Sequence, residues 1–199
     1  RDPRLKTIVK LRVIGRSQLL IRVDFENVPD HEVLAQLLTA FEAEVTGHDA
    51  ASVPQVWTLY KEVQDWWDQG LRVPDDVTVV WCDDNWGNIR RLPTAEERKR
   101  GGGAGVYYHF DYVGGPRNYK WLNTNPIPRV WEQIHLAYEY NVRDIWVVNV
   151  GDIKPMELPI SFFLDYAWNP DAIHPDQVQD YTVKWAAAQF GPAHAKDIA

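Results

Sequence analysis

The string VWCDDNWGN, residues 80–88, ends an apolar run in two carboxylates, an amide, an indole and a glycine. A strand that only turned there would manage with Gly, Asn or Pro. Capping a following turn takes one Asp or Asn. Asp83, Asp84 and Asn85 exceed that need. Carboxylates and amides engage neighbouring hydroxyls two at a time, which suits a sugar. Glu62 lies just beyond the apolar run VPQVWTLY, beside Lys61. In an apolar pocket burial would raise its pKa and make it a proton donor at neutral pH. On an open helix it would be an ordinary first-turn acid favoured by the dipole. His109 and Asp111 close the run GVYYHFDY, and Asn149 closes DIWVVNV with Asp152 two residues beyond it. A long loop, 113–126, carries Arg117, Tyr119, Lys120 and Trp121. Its two cations suit an acidic ligand brought to a mobile rim.

Other chemistries fit less well. His109, Asp111, Asp83 and Asp152 are hard-metal ligand types, but the chain has no H-x-x-x-H pair and no cysteine cluster. No metal or other cofactor is expected. His135 lies in a helical stretch and reads as structural. ERKRGGGAG, 97–105, lacks the phosphate-loop spacing and leads into a strand rather than a helix. It reads as a mobile glycine loop.

The elements that must hold these groups alternate. Strands are expected over 53–60, 76–82, 105–112 and 144–150. Helices are expected over 61–70, 129–141 and 159–169, and Val130, Ile134, Ala137 and Tyr138 share one face. Such alternation implies parallel βαβ units. Every candidate group sits at the C-terminal end of its strand, which is the active-face rule of α/β folds. A complete barrel needs eight strands and about 250 residues. Four units make about half, so the expected fold class is α/β, a partial TIM (β/α) barrel. Before it, IVKLRVI (8–14) and LLIRVDF (19–25) flank a Gly15–Gln18 turn, and 31–46 reads as a helix with Val33, Leu34, Leu37, Leu38, Phe41 and Val45 in its apolar stripe. Three segments are therefore expected: an N-terminal extension over 1–47, the half-barrel over 48–170, and the start of a helical region over 171–199.

Composition bounds the partners. The net charge of −7 disfavours nucleic acid and anionic membranes. Cys82 stands alone among 199 residues, so no intrachain disulfide is available. Neither a membrane-span-length apolar run nor a signal peptide is present in the sequence. Ten tryptophans are many for this length, and indole faces stack on sugar rings as well as filling cores.

Three long strings carry a resemblance: VWTLYKEVQDWWDQGLRVPDDVTVVWCDDNWGNIRRLP, GGAGVYYHFDYVGGPRNYKWLNTNPIPRVWEQIHLAYEY and IWVVNVGDIKPMELPISFFLDYAWNP. From about residue 40 to 199 the chain resembles glycoside hydrolase family 115, the xylan α-1,2-glucuronidases. The resemblance implies an inverting hydrolase that removes glucuronic acid or its 4-O-methyl ether from glucuronoxylan or its oligosaccharides. It implies a site at a TIM-barrel mouth, Glu62 as catalytic acid, and Asp83, Asn85, His109 and Asn149 as substrate contacts. Arg117 or Lys120 would meet the uronate carboxylate. The family's glycine- and acid-rich string, with its water-activating carboxylate, has no counterpart in KLRVIGRSQLLIRVDF. The chain is thus expected to be a fragment or truncated product, either completed as a homodimer or left as a remnant that binds acidic sugar. A metal-dependent hydrolase is a third, weaker expectation. Intact members work outside the cytoplasm, in an extracellular or periplasmic setting.

Overall fold

The computed structural model describes residues 52–114 and 122–199, together with Gln36, Ala40, Glu44, Val45 and residues 47–49. The expected hairpin over 8–25 and the loop cations Arg117 and Lys120 lie outside the described residues. Of the helix expected over 31–46, Gln36, Ala40, Glu44 and Val45 are helical. Val45, assigned to the apolar stripe, is 51% exposed.

The elements run β1 (Val56–Thr58), α1 (Glu62–Asp68), β2 (Thr78–Cys82), β3 (Ala104–His109), α2 (Ile127–Glu139), β4 (Ile145–Asn149), α3 (Glu157–Trp168), α4 (Val178–Phe190) and the short α5 (Ala195–Ile198). The four strands form one sheet in the order β1-β2-β3-β4, each pair parallel. Sequential parallel neighbours joined by crossovers are the progression of a (β/α) barrel, and four strands are half of one. The chain therefore has an α/β fold, a partial barrel followed by the helices α4 and α5. The β2–β3 crossover contains a single 3-10 turn, Glu97–Lys99, in place of a helix.

Side chains alternate across a strand, so each strand presents two faces. Trp57, Leu59, Val79, Trp81, Val106, Tyr108, Phe110, Trp146 and Val148 meet the helices in one apolar core. Val130, Ile134 and Ala137 of α2 answer them from the other side, all buried as the helical spacing requires. Trp67 of α1 packs its edge on Trp81, and Phe163 of α3 meets Phe110 and Trp146. Fully burying one such side chain contributes about 1.5–3 kcal/mol. Much of the tryptophan excess is thus spent on packing: Trp67 and Trp81 are fully buried, and Trp57, Trp131 and Trp146 line the core. His135 is structural, stacked on Trp131 and hydrogen-bonded to the Tyr166 hydroxyl at 2.9 Å. Val178 of α4 joins the same core, and Tyr181 packs its edge on Phe162.

The glycine loop ending at residue 105 differs from expectation. A Cβ on Gly102 would come within 2.5 Å of the Asp76 and Val77 backbone. One on Gly103, at φ +71°, would strike the Asp144 carboxylate, which accepts the Ala104 N–H at 2.8 Å. The glycines serve close packing at the entry to β3, the end of the strand opposite the candidate site. They are packed in place rather than forming the mobile glycine loop that was expected.

Candidate functional site

The four strands deliver their last residues to one edge. After β1 the chain passes through Tyr60 and Lys61 before α1 begins at Glu62. Lys61 sits at φ 49°, ψ −120°, a backbone state that side chains rarely adopt. Such outliers persist only where their surroundings hold them, and they cluster at functional sites. The Lys61 ammonium lies 5.3 Å from the Tyr60 ring centroid and 5.2 Å from that of Tyr112. Glu62 is exposed on the first turn of α1. The described residues do not enclose it in an apolar pocket.

Loop 84–88 answers the surplus of acids after β2. Asp83 pairs with Ile89 in an isolated bridge, which brings the chain back beside the strand end. Asp84 closes that return. Its Oδ1 accepts the Trp86 and Asn88 N–H groups at 2.8 and 3.0 Å, and its Oδ2 accepts the Asn88 amide at 2.7 Å. Desolvation pushes the Asp84 pKa upward, but these hydrogen bonds outweigh it and hold the carboxyl below its ordinary value. Asp83 is buried and also turned inward. Its Oδ1 accepts the Asn85 N–H at 3.1 Å and lies 2.6 Å from His109 Nδ1, while its Oδ2 accepts the His109 N–H at 2.9 Å. Asn85 is held at φ 66°, and its Oδ1 accepts the Tyr60 hydroxyl at 3.4 Å.

From β3, Tyr107 and His109 alternate onto the face away from the helices. His109 is boxed by aromatic rings: Tyr107 at 4.4 Å between centroids, Tyr60 stacked at 5.7 Å and Tyr112 edge-on at 6.0 Å. Burial raises the Tyr60 pKa, and hydrogen bonding to Tyr112 adds to the rise. The Tyr112 phenol moves the other way, lowered by hydrogen bonding with Lys61 and then with Tyr60. From β4, whose Asn149 pairs with His109, the Asn149 amide donates to the Tyr107 hydroxyl at 3.2 Å. The Gly151 N–H donates back to Asn149 Oδ1 at 3.4 Å. Gly151, at φ +61°, lies against Asp111, so close that a Cβ would stand 2.3 Å from Asp111 Oδ2. Asp111 is buried, and its Oδ1 has no partner among the described residues.

The structure thus brings Asp83, Asn85, His109 and Asn149 into one network with Tyr60, Tyr107 and Tyr112. Glu62 stands beside it, one residue beyond Lys61. Among the described residues no three of His, Cys, Asp and Glu converge as a metal would require. The tyrosines were missed as site residues. The signal for Tyr107 was present: in GVYYHFDY the period of two puts residues 107, 109 and 111 on one face. A separate cavity of about 480 Å³ lies on the helix side of loop 84–88, lined by Trp86, Tyr108, Asn125 and Arg129. It shares no lining residue with the tyrosine–histidine network.

The model of glycosyl hydrolase family 115 matches residues 30–199. A solved structure of a family GH115 4-O-methyl-α-glucuronidase with specificity for decorated arabinogalactans superposes with a TM-score of 0.77 at 40% sequence identity. That match covers 87% of this chain and 24% of the other. No curated protein matches.

Proposed function

Because the chain belongs to glycosyl hydrolase family 115, we propose that it carries the sugar-binding wall and the acid of an inverting hydrolase that releases α-1,2-linked glucuronic acid, or its 4-O-methyl ether, from xylan. The observation that carries this reading is the meeting of Asn85, His109 and Asn149 at the ends of three adjacent strands. Amides and an imidazole on a tyrosine-lined wall are the donors and acceptors that sugar hydroxyls need. Glu62, next to that wall, protonates the leaving xylosyl oxygen. Inversion requires a second carboxylate about 6.5–9.5 Å from the acid, with a water between them. Arg117 or Lys120 pairs with the uronate carboxylate. The similarity to an enzyme that prefers decorated arabinogalactans makes that polymer the second substrate to try.

The test is release of free 4-O-methylglucuronic acid from glucuronoxylan and from glucuronidated arabinogalactan, by the wild-type chain and by Glu62→Gln. Removing a general acid costs about 10²–10⁴-fold in rate. The variant should lose at least the lower figure, and undiminished release by Glu62→Gln would remove Glu62 from the mechanism. A second reading rests on the exposure of Glu62: the chain binds acidic sugar without cleaving it. Glucuronic acid that shifts the wall's NMR resonances, with no release from either polymer, would favour that reading.

A further inference from the structure

Asp83 has been grouped above with the residues that meet the sugar, and its environment gives it different work. Its side chain has no exposed surface, and both of its oxygens are taken by the protein. An ionised carboxylate only accepts hydrogen bonds. A ring nitrogen 2.6 Å from Asp83 Oδ1 must therefore carry the hydrogen, so that whenever the ring is neutral it is the Nδ1–H tautomer. The second oxygen holds the His109 backbone, so one side chain sets both the position and the tautomer of the imidazole. The same carboxylate accepts the Asn85 N–H and holds that residue in its left-handed turn, where its amide faces the Tyr60 hydroxyl.

We infer that Asp83 is a positioning residue: it acts on the sugar through His109 and Asn85 and does not touch it. With Nδ1 committed, Nε2 of the neutral ring is the nitrogen that Asp83 does not hold. It is a fixed acceptor for a sugar hydroxyl. The Tyr60, Tyr107 and Tyr112 rings keep the imidazole from turning over. This inference rests on the sugar-binding reading for its ligand and on geometry alone for the tautomer.

An amide at position 83 cannot reproduce the arrangement. Its NH₂ must replace one oxygen and face an N–H that already points there. Placed toward Nδ1, it lets the ring take the opposite tautomer and turns Nε2 into a donor.

The first measurement is long-range ¹H–¹⁵N NMR of the histidine rings in the full chain, at a pH where the ring nitrogens themselves report a neutral imidazole. The expected spectrum has a pyrrole-type Nδ1 and a pyridine-type Nε2 for His109. An Nε2–H ring, or an averaged mixture, would overturn the inference without any variant. Asp83→Asn should abolish the single tautomer, and an unchanged tautomer in that variant would equally overturn it. The second measurement is glucuronic acid affinity for Asp83→Asn, His109→Gln and the double variant. Each single change should weaken binding about tenfold, the worth of one good hydrogen bond, and the double variant should be no weaker than either. Losses that multiply would mean that Asp83 meets the sugar independently. A wild-type chain that binds no glucuronic acid would defeat the sugar reading, and the tautomer would still decide the part of Asp83.

Discussion

Glu97 is the carboxylate on which the seating of α1 depends, and replacing it with glutamine tests the account of that brace. Its Oε1 accepts the Trp67 indole N–H at 2.7 Å and the Arg91 guanidinium at 2.9 Å, and its Oε2 accepts the Thr94 N–H at 2.8 Å. The Thr94 hydroxyl accepts the Glu97 N–H in return, at 3.2 Å. Arg91 lies over the face of Trp81, 4.5 Å from the ring centroid. The cluster thus ties α1, whose first residue is Glu62, to the chain leaving β2. Desolvation pushes the Glu97 pKa upward, but Arg91, Thr94 and Trp67 outweigh it and take the value from 4.5 down to about 2. A carboxylate depressed in the folded state stabilises the fold fully above its unfolded pKa of 4.5. That contribution is lost as the pH falls from there toward 2. At about 1.36 kcal/mol per pH unit the full linkage is about 3 kcal/mol. Solvent screening at the open side of the cluster reduces it to about 1–2 kcal/mol. A glutamine keeps two neutral hydrogen bonds on one side and turns its NH₂ against the Thr94 N–H on the other, a cost in the same range. Urea unfolding followed by tryptophan fluorescence should show Glu97→Gln less stable by about 1–2 kcal/mol at pH 7. At pH 3 the gap should shrink by more than half. An equal gap at both pH values would refute the electrostatic account, and a gap under about 0.5 kcal/mol at pH 7 would refute the brace itself.

Two further outcomes follow from the same edge of the sheet. Cys82 is fully buried, and desolvation pushes its thiol up to about 12, with Asp83 adding to the rise. Ellman's reagent should modify it only as the chain unfolds, and rapid labelling of the native chain would contradict the burial. Gly151→Ala places a methyl against the Asp111 carboxylate at a left-handed backbone position. It should cost at least about 1–2 kcal/mol in thermal unfolding and displace Asn149. An unchanged melting temperature would mean that the Asp111–Gly151 contact is not held in solution.

The barrel progression was legible because strands buried under helices need apolar runs and because parallel neighbours need crossovers. Each of the four expected strands exists. The first is the shortest, Val56–Thr58 where 53–60 was expected. Pro54 cannot donate to a ladder, and the chain turns sharply at Lys61, so pairing is confined between them. The strand-end rule put His109 and Asn149 side by side at one end of the sheet, as their pairing has them, since a period of two fixes which face a side chain takes. It left open what those side chains do once there.

That second question is decided by contacts between distant parts of the chain. Asp83 and Asp84 are adjacent, acidic and at the same strand end, and a sequence offers no reason to separate them. The return of the chain from Asp83 to Ile89 separates them. It turns Asp84 into the closure of its own loop and brings Asp83 beside His109, 26 residues away in sequence. The glycines before β3 pose the same problem in reverse. Their spacing suggested freedom, but the backbone of residues 76–77 and the Asp144 side chain leave no room for a Cβ there. In both places a residue type announces what it is able to do, and only its neighbour in space selects among the options. The wall at the strand ends is therefore best tested through pairs, Asp83 with His109 or Gly151 with Asp111. A single substitution changes the neighbour's choice along with the residue removed.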